Sequence, residues 1–312
     1  MQYPPFPGKK SAVPVDNLRA ACDISMTGNE THKEARREMN NTTTNERMLL
    51  VLMAGQSNMS GRGIAGPDDL AVIPGVLSLR PDGSWGPAIE PVTRDRPFVG
   101  TFDADGNKIV SPDPWDNILP PVGGRVVGVG CGRTFGRLLH EAFPDRTVGL
   151  IPAAVGGTSA AAWKPGGEDD HQPGRHPYDD AIKMAKTARH SGEIVAILWH
   201  QGENDAQRRN PHYLADLREI VTNFRRDLQL GDDVPFLAGE LGDFYKPEIQ
   251  DGVHIVDDAL RELEREFAFF RVVPLKGLPH KGDCLHFSAG AQHEYGRRCF
   301  VAFRRFRGFG ET

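Results

Sequence analysis

Five short apolar runs alternate with helical patterns along most of this chain, and the alternation constrains the fold more than any other feature. Residues 49–54, Leu49-Leu50-Val51-Leu52-Met53-Ala54, are apolar without a break. That is the pattern of a strand covered on both faces of a parallel sheet, not of a half-exposed strand, which alternates polar and apolar. Residues 147–154, 194–199, 234–239 and 269–273 carry further apolar runs. Helical spacing fills 133–143, 180–191, 213–228 and 253–267, and a last helix over 289–304 has Ser288 as its expected N-cap. Parallel neighbours need crossovers, and the intervening helices supply them on both sides of the sheet. The expectation is an α/β chain with a central five-stranded parallel sheet, in one domain.

The carboxyl ends of parallel strands share one edge, and open α/β sheets place their ligands there. Polar clusters follow four of the five runs. Ser57 lies just past the first, in a turn whose N–H groups can face the same point. That layout suits a nucleophile and part of an oxyanion hole, although an ordinary Gly/Ser/Asn turn has the same composition. A serine hydroxyl needs a base in reach, and His286 is the best-placed imidazole, able to accept and return a proton near neutral pH. Asp283, three residues earlier, can accept from the other ring nitrogen and fix its tautomer. Taken alone, that pair is better described as a local turn hydrogen bond. Donors for an oxyanion are the Ser57 N–H, the N–H of Gly156 or Gly157, and the Gln201 amide. Gln201 has the alternative of satisfying a buried backbone group. Glu203 and Asp205 are expected to hold their loop together, and His200 to be a satisfied core histidine.

The rest of the chain offers no competing chemistry. Residues 61–124 keep no helical or strand period and read as a long loop insertion, about 62–122, over the strand ends. Trp85, Phe98, Phe102 and Trp115 either line a cleft there or form a small core beneath it. Gly128, Gly130, Gly132 and Gly136 miss the dinucleotide-binding spacing. Glu168-Asp169-Asp170-His171 and His176 supply metal-ligand residue types without cage spacing, so a solvated loop is expected and no metal. Residues 1–47 are polar and read as a loosely packed extension, where Asn29 and Asn41 open chance matches to a glycosylation acceptor. A net charge of −5 favours neither nucleic acid nor an anionic membrane as partner. With four dispersed cysteines and no secretory signal in view, a cytoplasmic location is expected.

Four blocks now carry a resemblance: Gly55-Gln56-Ser57-Asn58-Met59, Gly156-Gly157-Thr158, His200-Gln201-Gly202-Glu203-Asn204-Asp205 and Asp283-Cys284-Leu285-His286-Phe287-Ser288. In this order they resemble the SGNH/GDSL hydrolase superfamily, and within it the sialate O-acetylesterase-like proteins and family 6 carbohydrate esterases (acetylxylan esterases). The likeness runs from residue 48 to the last helix, covers 62–122 weakly and leaves out 1–47. It implies a flavodoxin-like, three-layer α/β/α SGNH hydrolase fold over 48–312, and removal of O-acetyl groups from a carbohydrate through an acetyl-enzyme, without metal or organic cofactor. It assigns Ser57 as nucleophile, His286 as base, Asp283 as the acid and the Gly156-Gly157 turn as a source of an oxyanion N–H. The wider superfamily uses Asn in its third block where this branch has Gln, which gives that role to Gln201. Asn204 stands where the branch more often shows Ser or Ala, so its contribution stays open. Gln56, Asn58, Glu203 and Asn204 are candidates for support or substrate contact. Two rival readings are a non-catalytic carbohydrate-binding protein on the same scaffold and an esterase or thioesterase for a non-sugar acyl group. A binder has no need to keep Ser57, Asp283 and His286 together, and the polar insertion favours a sugar over an acyl chain. The expected partner is an acetylated carbohydrate.

Overall fold

A computed structural model describes residues 47–95 and 127–308, all within the unit Thr44–Thr312. The first apolar run forms β1, Met48–Gly55, buried along its whole length. Successive side chains of a strand point to opposite faces, and β1 divides accordingly. Leu50, Leu52 and Ala54 enter one core cluster, and Leu49, Val51 and Met53 the other. An uninterrupted apolar run is what two covered faces require.

The chain continues through the short turn α1 (Ser57–Ser60), β2 (Gly63–Ile64), β3 (Val76–Leu79), β4 (Trp85–Pro87), β5 (Val127–Val129) and α2 (Gly132–Ala142). Next come β6 (Val148–Pro152), α3 (Pro177–Ala188), β7 (Gly192–His200), α4 (Glu203–Arg208), α5 (Tyr213–Asp227) and β8 (Phe236–Gly239). The last elements are α6 (Gln250–Glu266), β9 (Phe270–Val273) and α7 (Ala289–Phe306). The main sheet has the order β4-β3-β6-β1-β7-β8-β9, and β2 pairs with β5 apart from it. All neighbours in the main sheet are parallel except β3 and β4.

The five strands expected from the sequence are contiguous in this sheet, and β3 and β4 extend it at one edge. Both additions fall in the stretch read as irregular. They contain only four and three residues, too short to display a period. Trp85 belongs to the edge strand β4, donates through Nε1 to Ser191 Oγ at 3.0 Å and packs on the core, so it builds core and not cleft. Phe98, Phe102, Trp115 and the extension before residue 47 lie outside the described residues.

Helices α3, α5 and α6 cover the face of Leu50 and Leu52 with Ala181, Leu217 and Val256. Helices α2 and α7 cover the other with Phe135 and Tyr295. The result is the expected three-layer α/β/α arrangement. Ser288 caps α7 by accepting from the Ala291 N–H. No helix among the described residues is long and apolar enough to cross a membrane. For the site, the decisive feature is that β1 lies between β6 and β7, which brings the ends of these three strands side by side.

Candidate active site

Strand β1 ends at Gly55, whose φ of +128° and close approach to β7 leave no room for a side chain. A Cβ there would stand 2.1 Å from the His200 carbonyl oxygen. The Gln56 N–H then donates to that same oxygen at 2.7 Å, and the backbone turns into α1. Ser57 opens this helical turn, where its N–H has no intrahelical acceptor.

On the far side, residues 280–287 form a tight loop closed by a bridge between His280 and Phe287. Asp283 organises it. Its Oδ1 accepts the N–H groups of Leu285 and His286 at 3.0 and 2.8 Å, an Asx-type turn, which leaves Oδ2 for the ring. His286 Nδ1 lies 2.7 Å from Asp283 Oδ2, and His286 Nε2 lies 3.0 Å from Ser57 Oγ. The three side chains therefore form one hydrogen-bonded line, and the local turn bond and the triad bond coexist on one carboxylate.

Electrostatics suit a base. Burial lowers the His286 imidazole below its ordinary 6.5, and the Asp283 carboxylate offsets this only in part. For Asp283, burial acts to raise the carboxyl, but the bonds from His286 and Leu285 outweigh it and bring it down to about 2. At neutral pH the pair is a carboxylate beside a neutral imidazole ready to accept a proton.

The expected oxyanion donors separate. The Gly156 N–H donates to Asp95 Oδ2 at 2.6 Å and is not aimed at Ser57. A Cβ on residue 156 would fall 2.6 Å from Arg62 Nη2 and 2.8 Å from Asp95 Oδ2, so a side chain there would displace that ion pair. Asp95 is buried. Burial alone would raise its carboxyl, but Arg62 at 2.8 Å and bonds from Ser60 and Gly156 hold it below the usual range. Gln201 is fully buried, and its amide donates to the Thr158 carbonyl at 3.1 Å and Asp205 Oδ2 at 2.6 Å. That is the alternative use foreseen for it, satisfaction of buried groups. Gly157 and Asn204, in contrast, line a cavity of about 250 Å³ together with Ser57 and His286. Asn204 Nδ2 donates to the Gly157 carbonyl at 2.5 Å, and an amide nitrogen has a second N–H to offer.

The remaining candidates support this wall. Gln56 Oε1 receives the N–H groups of Gly202 and Asn204 at 3.3 and 3.4 Å, which ties the start of α4 to the Ser57 turn. Glu203 is buried and accepts from Asn58 Nδ2 at 2.6 Å. His200 Nε2 stands 3.3 Å from the same carboxylate, but neither ring nitrogen makes a hydrogen bond, so His200 is buried without being the satisfied core histidine expected. Asp205 receives Gln201, the Ala160 N–H and Asn210, so it fastens the loop as expected. In the acidic loop, Asp169 and Asp170 accept backbone N–H groups of His171 and Ser159, and Asp170 pairs with Arg208. Sequence reasoning missed Arg62 and Asp95, for which the only signal was the cluster Arg94-Asp95-Arg96. It also gave no site role to Gln207 and Arg208, and read His171 only as part of a solvated loop, whereas all three line the cavity.

Known proteins carry the same arrangement of chain. The family model described as "Carbohydrate esterase, sialic acid-specific acetylesterase" matches residues 47–305. A probable carbohydrate esterase of Arabidopsis thaliana is 28% identical over 268 residues, 79% of this chain and 86% of that one. The X-ray structure of an Arabidopsis thaliana protein superposes with a TM-score of 0.61 at 25% identity, covering 83% of this chain and 98% of that one. The crystal structure of NanS shares the fold, with a TM-score of 0.62 at 16% identity over 84% of this chain and 98% of that one. Fold, ordered blocks and family match agree, and the chain belongs to the sialic acid-specific acetylesterase family of carbohydrate esterases.

Proposed function

We propose that this carbohydrate esterase removes O-acetyl groups by a serine mechanism in which Ser57, His286 and Asp283 act as nucleophile, base and orienting acid. The observation that carries the reading is the continuous line from Asp283 Oδ2 through His286 to Ser57 Oγ, at 2.7 and 3.0 Å. His286 Nε2 takes the Ser57 proton as Oγ attacks the acetyl carbonyl, and Asp283 holds the opposite N–H and stabilises the imidazolium. The carbonyl oxygen becomes an oxyanion, for which the Ser57 N–H, the Gly157 N–H and Asn204 Nδ2 are the donors. Collapse breaks the ester C–O bond, and His286 returns the proton to the departing sugar oxygen. Water, deprotonated by His286, then attacks the acetyl-enzyme, releasing acetate and restoring the Ser57 hydroxyl.

The cavity is larger than an acetyl group needs, and its rim of His171, Gln207 and Arg208 offers hydrogen-bonding groups suited to sugar hydroxyls. A long acyl chain would call for an apolar channel instead. We take residues 48–312 as the catalytic unit and an acetylated carbohydrate as the partner. The test is Ser57→Ala. Turnover of p-nitrophenyl acetate should disappear with the fold intact, and undiminished turnover would end the proposal.

A further inference from the structure

Beside the reacting groups lies a buried side chain that takes no part in the chemistry. Asn58 follows Ser57 and is fully buried, and its amide is committed on every side. Nδ2 donates to the Glu203 carboxylate at 2.6 Å and to the Leu285 carbonyl at 3.1 Å. Oδ1 accepts the Phe287 N–H at 3.1 Å. Two partners only accept and the third only donates, so a single orientation of the amide satisfies all three. Leu285 and Phe287 are the residues on either side of His286. The Asn58 carbonyl also accepts from Gln292 Nε2 of α7 at 2.9 Å.

Asp283 cannot set the distance between base and nucleophile, because it belongs to the same loop as His286 and fixes the ring only relative to that loop. Asn58 joins the loop to the Ser57 turn, 229 residues away in sequence. We propose that Asn58, braced by Glu203, is the positioning residue that sets the His286–Ser57 distance. This inference rests on the serine-esterase reading above. Glu203 is suited to the role. Burial would raise its carboxyl, but His200 and Asn58 outweigh that and keep it ionised and accepting. The titratable groups that act with it are His200 of β7, Tyr213 of α5, Tyr245 after β8 and Tyr295 of α7.

The test is Asn58→Asp, an isosteric change that sets a second carboxyl against Glu203. Two carboxylates at that distance do not both ionise readily, so the introduced acid keeps a proton to unusually high pH. While protonated it spends its one O–H on Glu203 and gives up only the second bond, to the Leu285 carbonyl. Once it ionises, repulsion parts the turn from the loop. The ratio of variant to wild-type kcat on p-nitrophenyl acetate should fall at least about tenfold between about pH 6 and pH 9, with KM unchanged. Adding Glu203→Gln to that variant should flatten the ratio. A purely structural role gives a ratio that does not move with pH, and that result, or wild-type kcat throughout, overturns the proposal. If Asn58→Asp does not fold, Glu203→Gln and Glu203→Leu decide. The first keeps an acceptor for Asn58 and should stay near wild-type kcat, the second should lose about tenfold or more, and equal kcat in both overturns the proposal. Crystal structures of Asn58→Asp at the two pH values read the His286–Ser57 separation without turnover. An unchanged 3.0 Å contact at high pH refutes the clamp, whereas an inactive wild type refutes the esterase reading alone.

Discussion

Removal of the Asn204 amide should separate catalysis from stability, and removal of the Gln201 amide should do the reverse. Asn204 Nδ2 uses one N–H on the Gly157 carbonyl and lines the cavity beside Ser57 with the other available. Loss of one oxyanion donor costs about 2.7–4 kcal/mol of transition-state stabilisation, a fall of about 10²–10³ in kcat. The ground-state carbonyl carries little charge, so KM should barely move. Asn204 is only half-buried, and its single backbone bond is worth about 1 kcal/mol to the fold. Gln201 is fully buried, and Gln201→Ala would strand the Thr158 carbonyl and one lone pair of Asp205. Each stranded group costs about 1–3 kcal/mol. The assay pairs steady-state p-nitrophenyl acetate kinetics with urea unfolding of both alanine variants. Asn204→Ala should lose kcat with only a small fall in midpoint, and Gln201→Ala should lose more midpoint and keep kcat per folded molecule within a few-fold. A folded Gln201→Ala enzyme slowed about 10²-fold beside a fully active Asn204→Ala enzyme would refute the assignment of donors.

Further outcomes are expected. The kcat/KM of wild type should rise with pH as His286 loses its proton and level off near neutrality, with a midpoint below 6.5 because burial disfavours the imidazolium. A midpoint above 7 would contradict His286 as the base. Gly55→Ala should destabilise the chain by about 2–6 kcal/mol, through a positive φ and overpacking against His200 together. Urea unfolding measures it, and a loss under about 1 kcal/mol would mean that the β1–β7 contact yields. Leu52→Ala, at a fully buried site on β1, should cost about 2–5 kcal/mol by the same method.

Much of this was legible in the sequence because parallel sheets leave a strong trace. A strand covered on both faces has to be apolar throughout, and β1 is. The strands that carry the site end in glycine and polar residues because their loops approach one another closely there. Ser57, Asp283 and His286 could be picked out because each residue type has a narrow set of uses at a strand end. What stayed hidden was the direction of each N–H. Gln201 and Asn204 are three residues apart and chemically alike, and only the fold decides that one faces Thr158 and the other the cavity. Gly156 and Gly157 differ in the same way, since Asp95 claims the first N–H from the stretch read only as an irregular insertion. Strands β3 and β4 escaped notice because a few residues cannot display a period.

The most direct measurement is rapid-quench mass spectrometry of the wild-type enzyme turning over p-nitrophenyl acetate. One acetyl group should appear on the peptide that contains Ser57 and vanish as substrate is exhausted. Turnover with that peptide unmodified, or with the acetyl group on another residue, would contradict the acetyl-enzyme at Ser57.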